Sequence, residues 1–250
     1  FYFGILSAVV LFPLNLLFHR ASAADVGLLP DGVASTPNAA PAAPVNDAPV
    51  WAALKTPAFW LLSLAVTMIG FCSMTIVVHQ AQLMVDMGFS LSVASLLFGM
   101  LGVTRTTGGL FWGPLSDRIG RAPCVMIICS SSILGLILLL IAAQVSAEQF
   151  GLRLALLIGY LATFGVGQGM SPVYASTVSD LFSGKNLGTI LGLLDLGFGL
   201  GSALGPWWAG WMFDHFGNYT AVICGLMVGT ALTGVGLTTG ATRERKVATA

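Results

Sequence analysis

Two ionisable residues lie inside long runs that otherwise carry no charge. Arg105 is eight residues before Gly113, and Asp195 is eight residues after Leu187. At about 1.5 Å per helical residue, each charge would lie about 12 Å from the same end of its helix. A charge so deep in an apolar layer costs several kcal/mol unless it meets a partner or water, so both are functional candidates. We expect Arg105 to bind a substrate carboxylate and Asp195 to exchange a proton.

Two simpler interpretations of this pair stay open. The Arg105 side chain could extend to the nearest polar boundary, although its length covers only about half of that depth. Arg105 and Asp195 could also form a permanent structural ion pair, since both are expected at one depth. In either case the two charges would not take part in substrate binding.

Four other polar residues are candidates for substrate contact. His79 and Gln82 are about one helical turn apart near the end of a run, where they could gate a path or sense protons. Gln168 lies among three closely spaced glycines and shortly before a Ser-Pro pair, and Tyr174 follows. Such a helix is typical of a hinge that lines a cavity, so Gln168 and Tyr174 could contact a substrate. Solvation of His79 and close helix packing around Gln168 are the open alternatives.

A short charged segment joins two of the apolar runs. It reads Gly-Pro-Leu-Ser-Asp-Arg-Ile-Gly-Arg from Gly113 to Arg121. Gly113 and Gly120 allow a tight turn and a close approach of the helix ends. Asp117 could cap a helix N-terminus or pair with Arg118 or Arg121. We interpret the segment as a conformational latch, and an ordinary positively charged loop is the alternative.

The elements that must position these residues are long apolar helices. The sequence is 56% hydrophobic and only 8% charged, whereas about a quarter of a soluble domain is charged. Its apolar blocks are about twenty residues long, which is enough to cross a hydrocarbon layer about 30 Å thick. We therefore predict an all-α polytopic membrane protein. The predicted spans are 1–18, 57–85, 89–112, 123–143, 152–178, 188–211 and 219–239.

The spans suggest a domain organisation. We expect residues 1–20 to be the last helix of a missing N-terminal half. Residues 21–56 are rich in Ala, Pro, Asp and Asn, which predicts a flexible linker. Residues 57–240 would form a six-helix bundle and residues 241–250 a tail. Apart from Arg153 and the intramembrane Arg105, the lysines and arginines fall on one side, which predicts a cytoplasmic linker and tail in a plasma or inner membrane.

Small residues mark one face of the span 188–211. A helix face made of glycines carries no side chains, so a neighbouring helix can approach closely and slide along it. Pro206 follows this face and would kink the helix end. The recurring glycines are Gly188, Gly192, Gly197, Gly201 and Gly205.

The charged segment resembles the cytoplasmic-loop signature of the major facilitator superfamily, Gly-x-Leu-Ala-Asp-Arg-x-Gly-Arg-Lys. Ser116 replaces the alanine, and Ala122 stands in place of the final lysine. In that family the motif joins the second and third helices and, more weakly, the eighth and ninth. A linker upstream and four spans downstream fit the second place. The resemblance implies a major-facilitator-type six-helix bundle, plus one preceding transmembrane helix, within a twelve-helix carrier.

Other segments resemble the branch of monocarboxylate and oxalate/formate porters. Porters of that branch commonly carry a basic residue on the helix that matches the third span, which supports a substrate role for Arg105. The resemblance implies no role for Asp195. The similar segments are Pro57-Ala-Phe-Trp60, Val78-His79, Asp180-Leu-Phe182 and Gly201-Ser-Ala-Leu-Gly205-Pro206.

These observations predict a secondary transporter that moves a small organic anion, a monocarboxylate, by alternating access and proton coupling. No Gly-x-x-x-x-Gly-Lys-Ser/Thr loop is present, so nucleotide-driven transport is not indicated. We expect no enzyme activity, cofactor or metal, and the zero net charge does not support nucleic-acid binding. The expected partners are the lipid bilayer, the anion, protons and the missing half. Efflux of drugs or apolar compounds, and a non-transporting membrane sensor or structural fragment, are the alternatives.

Overall fold

The structure is a computed structural model that describes residues 9–10, 13–14, 49–146, 148–182 and 184–248, with side chains as far as residue 240. The chain divides into two units, residues 1–45 and 46–250. Most of the predicted span 1–18 and most of the predicted linker lie outside the described residues. The described end of the linker includes a short helix, α1 (Val50–Leu54), whose last carbonyl accepts a hydrogen bond from Trp60 Nε1 at 2.9 Å.

The second unit is helical throughout its regular elements, and its described residues contain no strand. This confirms the predicted all-α membrane fold. Within the described ranges, four helices are long and apolar enough to cross a membrane, namely α2, α4, α7 and residues 220–240 of α8. The helices after α1 are α2 (Pro57–Asp86), α3 (Leu91–Ile119), α4 (Arg121–Gln144), α5 (Phe150–Tyr160), α6 (Ser171–Leu181), α7 (Leu187–Phe216) and α8 (Thr220–Ala248).

Local capping sets where α2 and α3 begin. Thr56 Oγ1 accepts a hydrogen bond from the Phe59 backbone at 3.2 Å, and Pro57 occupies the first turn of α2. Ser90 caps α3 in the same way, through Val93 N at 3.4 Å. These residues satisfy backbone donors that have no partner within the first helical turn.

The turn between α3 and α4 is shorter than the sequence suggested. We expected a turn from Gly113 to Arg121, but α3 continues through Pro114 to Ile119. The chain reverses at Gly120, whose φ of +92° is rarely adopted by residues with a side chain. The chain therefore reverses at one glycine, whereas we had expected a turn of nine residues.

The predicted span 152–178 is broken rather than continuous. After α5 the chain forms a π-helical turn, Leu161–Gly165, and α6 starts only at Ser171. Glycines make the break possible because α3 passes very close: a Cβ on Gly169 would lie 2.5 Å from the Arg105 carbonyl oxygen. Pro172, in the first turn of α6, has no N–H with which to continue the preceding helix.

The small face of α7 packs closely on α2 along part of its length. A Cβ on Gly201 would lie 2.8 Å from the backbone nitrogen of Phe71, and one on Gly197 or Gly205 would meet α2 within 2.7 Å. Pro206 lies inside α7, which continues to Phe216. The remaining predicted glycines, Gly188 and Gly192, would meet nothing within 4 Å.

Alanine substitution at this interface should separate the packed positions from the open ones. Gly201→Ala should lower the thermal unfolding midpoint of the detergent-solubilised protein by about 3–10 °C, because an overpacked methyl group costs about 1–3 kcal/mol. Gly199→Ala is the matched control: it lies in the same helix, and its Cβ would meet nothing within 4 Å. The control midpoint should stay unchanged or rise slightly, because alanine favours a helix. Equal shifts would contradict this packing.

Candidate functional site

An open cavity of about 540 Å³ lies between α2, α3, α6 and α7. Three predicted site residues line it, namely Arg105, Tyr174 and Asp195. Much of the remaining wall is apolar, and Ser171 adds a hydroxyl group at the start of α6. The cavity can therefore hold a molecule that has an apolar body and a charged group. The apolar and aromatic lining residues are Val66, Ile69, Met170, Ala175, Leu191 and Phe198.

Asp195 is held by a tyrosine rather than by the arginine. The Tyr174 hydroxyl donates a hydrogen bond to Asp195 Oδ1 at 3.3 Å. Both ion pairs found among the described residues involve Arg121, so Arg105 and Asp195 share a cavity without direct pairing. Tyr174 is half-buried and Asp195 is exposed. The arrangement leaves a cation and a carboxylate accessible from one cavity.

Arg105 differs from the other arginines whose side chains the structure describes. Arg118 is exposed to solvent, whereas Arg121 and Arg153 are bonded to protein groups. Arg105 is half-buried, and no hydrogen bond or ion pair joins its guanidinium group to a described residue. A guanidinium group in this position can accept an external carboxylate in a bidentate geometry.

Gln168 does not line this cavity. Its Oε1 accepts a hydrogen bond from Ser73 Oγ of α2 at 2.5 Å, which ties the helix break to α2. The same side chain lines a separate small void deep in the bundle. The structure thus places Gln168 in the break but outside the lining of the cavity that holds Arg105.

His79 and Gln82 lie toward the opposite end of α2 and are also absent from the cavity lining. His79 Nε2 is 3.0 Å from the Pro206 carbonyl oxygen, so this nitrogen carries the proton and donates it. His79 Nδ1 then accepts from the Tyr219 hydroxyl at 3.3 Å. Gln82 Nε2 donates to Asp86 Oδ1 at 2.7 Å in an exposed position. His79 therefore links α2 to α7 and to the segment before α8, a role that the sequence did not indicate.

Arg121 connects three helices at the end of the bundle where α3 meets α4. Its Nη1 donates to Asp117 Oδ1 at 2.6 Å and to Ser116 Oγ at 2.5 Å. Its Nε donates to Asp180 Oδ2, near the end of α6, at 3.1 Å. The sequence identified Asp117 as a partner but missed Asp180, which is 59 residues from Arg121. One available signal was that Asp180 follows the end of the predicted span 152–178, on the same side as the motif.

Gly113, on α3, lies beside the start of α6. A Cβ on Gly113 would lie 3.5 Å from the Pro172 Cβ, which is an ordinary van der Waals distance. Close contact with α6 therefore requires a small residue here, but not strictly glycine. Arg118 lies next to Asp117 on the exposed side of α3 and takes no part in the two ion pairs of the described residues.

Arg153 occupies the opposite end of the bundle. It is only 8% exposed, and its Nη1 and Nη2 donate to the carbonyl oxygens of Met87 and Val145. These carbonyls belong to the residues that end α2 and α4, where a positive charge is favourable. We had used Arg153 only to predict topology, and its structural contacts depend on residues far apart in the sequence. The described residues hold no cluster of three or more His, Cys, Asp or Glu side chains suited to a metal.

Comparison with known proteins adds independent evidence. The model of the Major Facilitator Superfamily matches residues 1–170 and, in a second match, residues 80–249. Multidrug resistance protein D of Escherichia coli (strain K12) is 29% identical over 133 residues, which is 53% of this chain and 31% of that protein. Gallate transporter of Pseudomonas putida is 27% identical over 134 residues, which is 54% of this chain and 28% of that protein.

The aligned part spans about a third of each relative. The monocarboxylate and oxalate/formate branch suggested by the sequence stays a prediction. The family consists of membrane transporters rather than enzymes, which agrees with the long apolar helices of the fold. Since the family matches extend over more than half of its residues, this chain belongs to the Major Facilitator Superfamily.

Proposed function

We propose that the chain contributes half of a secondary carrier that moves a small organic anion, a monocarboxylate, by alternating access. The observation that carries the proposal is that the half-buried Arg105, in a cavity of about 540 Å³, has no partner among the described residues. A substrate carboxylate would supply the missing charge-assisted hydrogen bonds, and the apolar wall would contact the rest of the molecule. A relative named for gallate, which is itself a carboxylate, supports this substrate class.

Proton coupling follows from the position of Asp195 in the same cavity. An ionised Asp195 would repel an incoming anion, whereas a protonated Asp195 would not. Binding of the anion and of a proton would therefore favour each other, which is the linkage that symport requires. Tyr174 would position the Asp195 carboxyl group through its hydrogen bond. Gln168, His79 and Gln82 are weaker candidates because they lie outside the residues that line the cavity.

The surroundings of the bundle are also part of the proposal. Large apolar side chains are exposed on α3 and α7, including Leu110 and Leu200. We assign lipid and a preceding six-helix half as the groups that cover these surfaces. The end that carries Arg121 would face the cytoplasm of a cell bounded by a plasma or inner membrane, because most lysines and arginines lie there.

The network around Arg121 would act as a latch at that end. One guanidinium group holds the ends of α3 and α6 to the start of α4. Exposed ion pairs of this kind are individually weak, so they can break and form again during a transport cycle. The short turn at Gly120 would keep α3 and α4 moving together.

Drug or apolar-compound efflux is the second candidate function. The mostly apolar cavity wall and the similarity to a protein named for multidrug resistance favour it. In that case the substrate would bind without a carboxylate, and Arg105 would not contact it. A non-transporting sensor is the remaining alternative, and it would show no uptake at all.

Replacing Arg105 tests the substrate class directly. In the full-length carrier in proteoliposomes, Arg105→Gln should lower uptake of labelled monocarboxylates at least about 10-fold, because a charge-assisted hydrogen bond contributes about 1.5–3 kcal/mol. Arg105→Lys should retain part of the activity. Thr107→Val is the control, because Thr107 lies on α3 and its hydroxyl bonds only to the Val103 carbonyl. Wild-type uptake by Arg105→Gln would refute the carboxylate role, and unchanged transport of apolar compounds would favour efflux.

Asp195→Asn should separate binding from proton coupling. The variant should lose accumulation driven by a pH gradient, because the amide cannot exchange a proton. It should keep exchange of labelled for unlabelled substrate between the two sides of the membrane. Tyr174→Phe, which removes only the hydrogen bond to Asp195, should keep accumulation driven by a pH gradient. Normal pH-driven accumulation by Asp195→Asn would show that the proton site is elsewhere.

A double-mutant cycle tests the latch. Arg121→Gln and Asp180→Asn should each change the uptake rate, and the double variant should be no worse than the stronger single one. Their coupling in stability should be about 0.2–1 kcal/mol, as for other exposed pairs. Arg118→Gln serves as the control because Arg118 belongs to neither ion pair found in the described residues. Additive effects of Arg121→Gln and Asp180→Asn would argue against a shared latch.

A further inference from the structure

A small void lies where the break between α5 and α6 meets α2, α4 and α8. Its volume is about 20 Å³, and about 10–15 Å³ is enough to hold one water molecule. The void is too small for an organic substrate. Four of the residues that line it are polar, namely Ser132, Gln168, Thr230 and Thr233.

Two of these side chains have hydrogen-bonding groups without a partner in the described part of the chain. Ser132 is only 3% exposed, and its hydroxyl makes no hydrogen bond to any described residue. Gln168 uses Oε1 to accept from Ser73, and the structure shows no described partner for its amide hydrogens. Ser132 is buried and Gln168 is half-buried, and a polar group that is withdrawn from water without a partner is destabilising. Both groups line the same void, so one ligand there could satisfy both.

The two threonines define what that ligand must offer. Thr230 Oγ1 donates to the Leu226 carbonyl at 2.8 Å, and Thr233 Oγ1 donates to the Gly229 carbonyl at 3.0 Å. Each threonine hydrogen is therefore used, and only oxygen lone pairs remain to face the void. The lining thus combines an amide donor, two acceptors and a serine hydroxyl that can act as either.

Water matches this combination better than a cation does. A water molecule can accept from the Gln168 amide and donate to hydroxyl oxygens, which gives the about three hydrogen bonds typical of buried water. A metal cation would be disfavoured by the amide hydrogens and would lack the several oxygen ligands that hard cations need.

We propose that this void is the site of one structural water molecule that joins Gln168 and Ser132 to the threonines of α8. The water holds the helix break against α4 and α8, while the bond from Ser73 holds it against α2. Ordered water is one of the ways in which a broken membrane helix satisfies its polar groups. Gln168 is then a positioning residue for the break. This inference does not depend on the transported substrate.

Replacing Ser132 by valine should shift the thermal midpoint in opposite directions if the void holds water and if it is empty. Ser132→Val should expel the water, leave the Gln168 amide unsatisfied and lower the thermal midpoint by about 2–4 °C. In the double variant Ser132→Val with Gln168→Met, the thermal midpoint should fall by less than the sum of the two single shifts. The reason is that Gln168→Met removes the amide that Ser132→Val leaves without a partner. A dry void would instead be filled by the added methyl group, so that Ser132→Val would raise the midpoint and the effects would add. That outcome would overturn the proposal.

A second measurement does not require a variant. Brief X-ray irradiation of the full-length wild-type protein generates hydroxyl radicals from bound water, and these oxidise nearby sulfur atoms. Cys129 is 5% exposed and lines the void, whereas Cys124 is 0% exposed and does not. We expect oxidation at Cys129 but not at Cys124. Equal absence of oxidation, or a thermal midpoint that rises saturably with sodium but not with choline chloride, would overturn the assignment of water.

Discussion

In a hydrocarbon layer, every backbone N–H and C=O group must find a partner inside the protein. The long helices satisfy this constraint by themselves, whereas the segment between α5 and α6 does so only in part, through Gln168 N and Gly169 N, which bond to carbonyls within the segment. It is held by contacts from its neighbours: Trp112 Nε1 donates to the Val166 carbonyl at 2.7 Å, and Ser73 bonds to Gln168. Ser131 Oγ of α4 also donates to the Thr163 carbonyl at 3.0 Å, so side chains of α2, α3 and α4 all hold the break. The position of the break sets the start of α6, and with it the place where Tyr174 enters the cavity.

Glycines provide the close approach on which this arrangement depends. Gly108 and Gly169 bring α3 and the break together with almost no side-chain volume between them, and Gly201 does the same for α7 and α2. Such contacts gain dispersion energy and permit sliding, because no interdigitated side chains need to be withdrawn. The depth of Asp195 relative to Arg105 is thus set by how α7 and α3 pack on α2 and on the break. A carrier that rocks about these contacts would move both charges with the helices that bear them.

The sequence predicted what depends on composition and short motifs. The apolar runs and the charged segment ending at Arg121 were enough for the all-α membrane fold and the superfamily, because each depends on neighbouring residues. The break after Gly165 was expected only as a hinge, since apolar periodicity continues across it. Contacts such as Tyr174 with Asp195, or Arg121 with Asp180, join different helices. No local pattern encodes them, because they depend on how the helices pack in three dimensions.

The surroundings of the arginines separate structural from functional charge. Arg153 is buried and bonded to two carbonyl groups, and Arg121 is bonded to two carboxylates. Each joins helix ends through hydrogen bonds from its guanidinium group to protein oxygens. Arg105 has the same five donors, a partly buried position and no described partner. Withdrawing a guanidinium group from water without a partner is unfavourable, so its retention is best explained if a ligand supplies the counter-charge. The proposed anion site therefore depends less on cavity shape than on this unmatched charge.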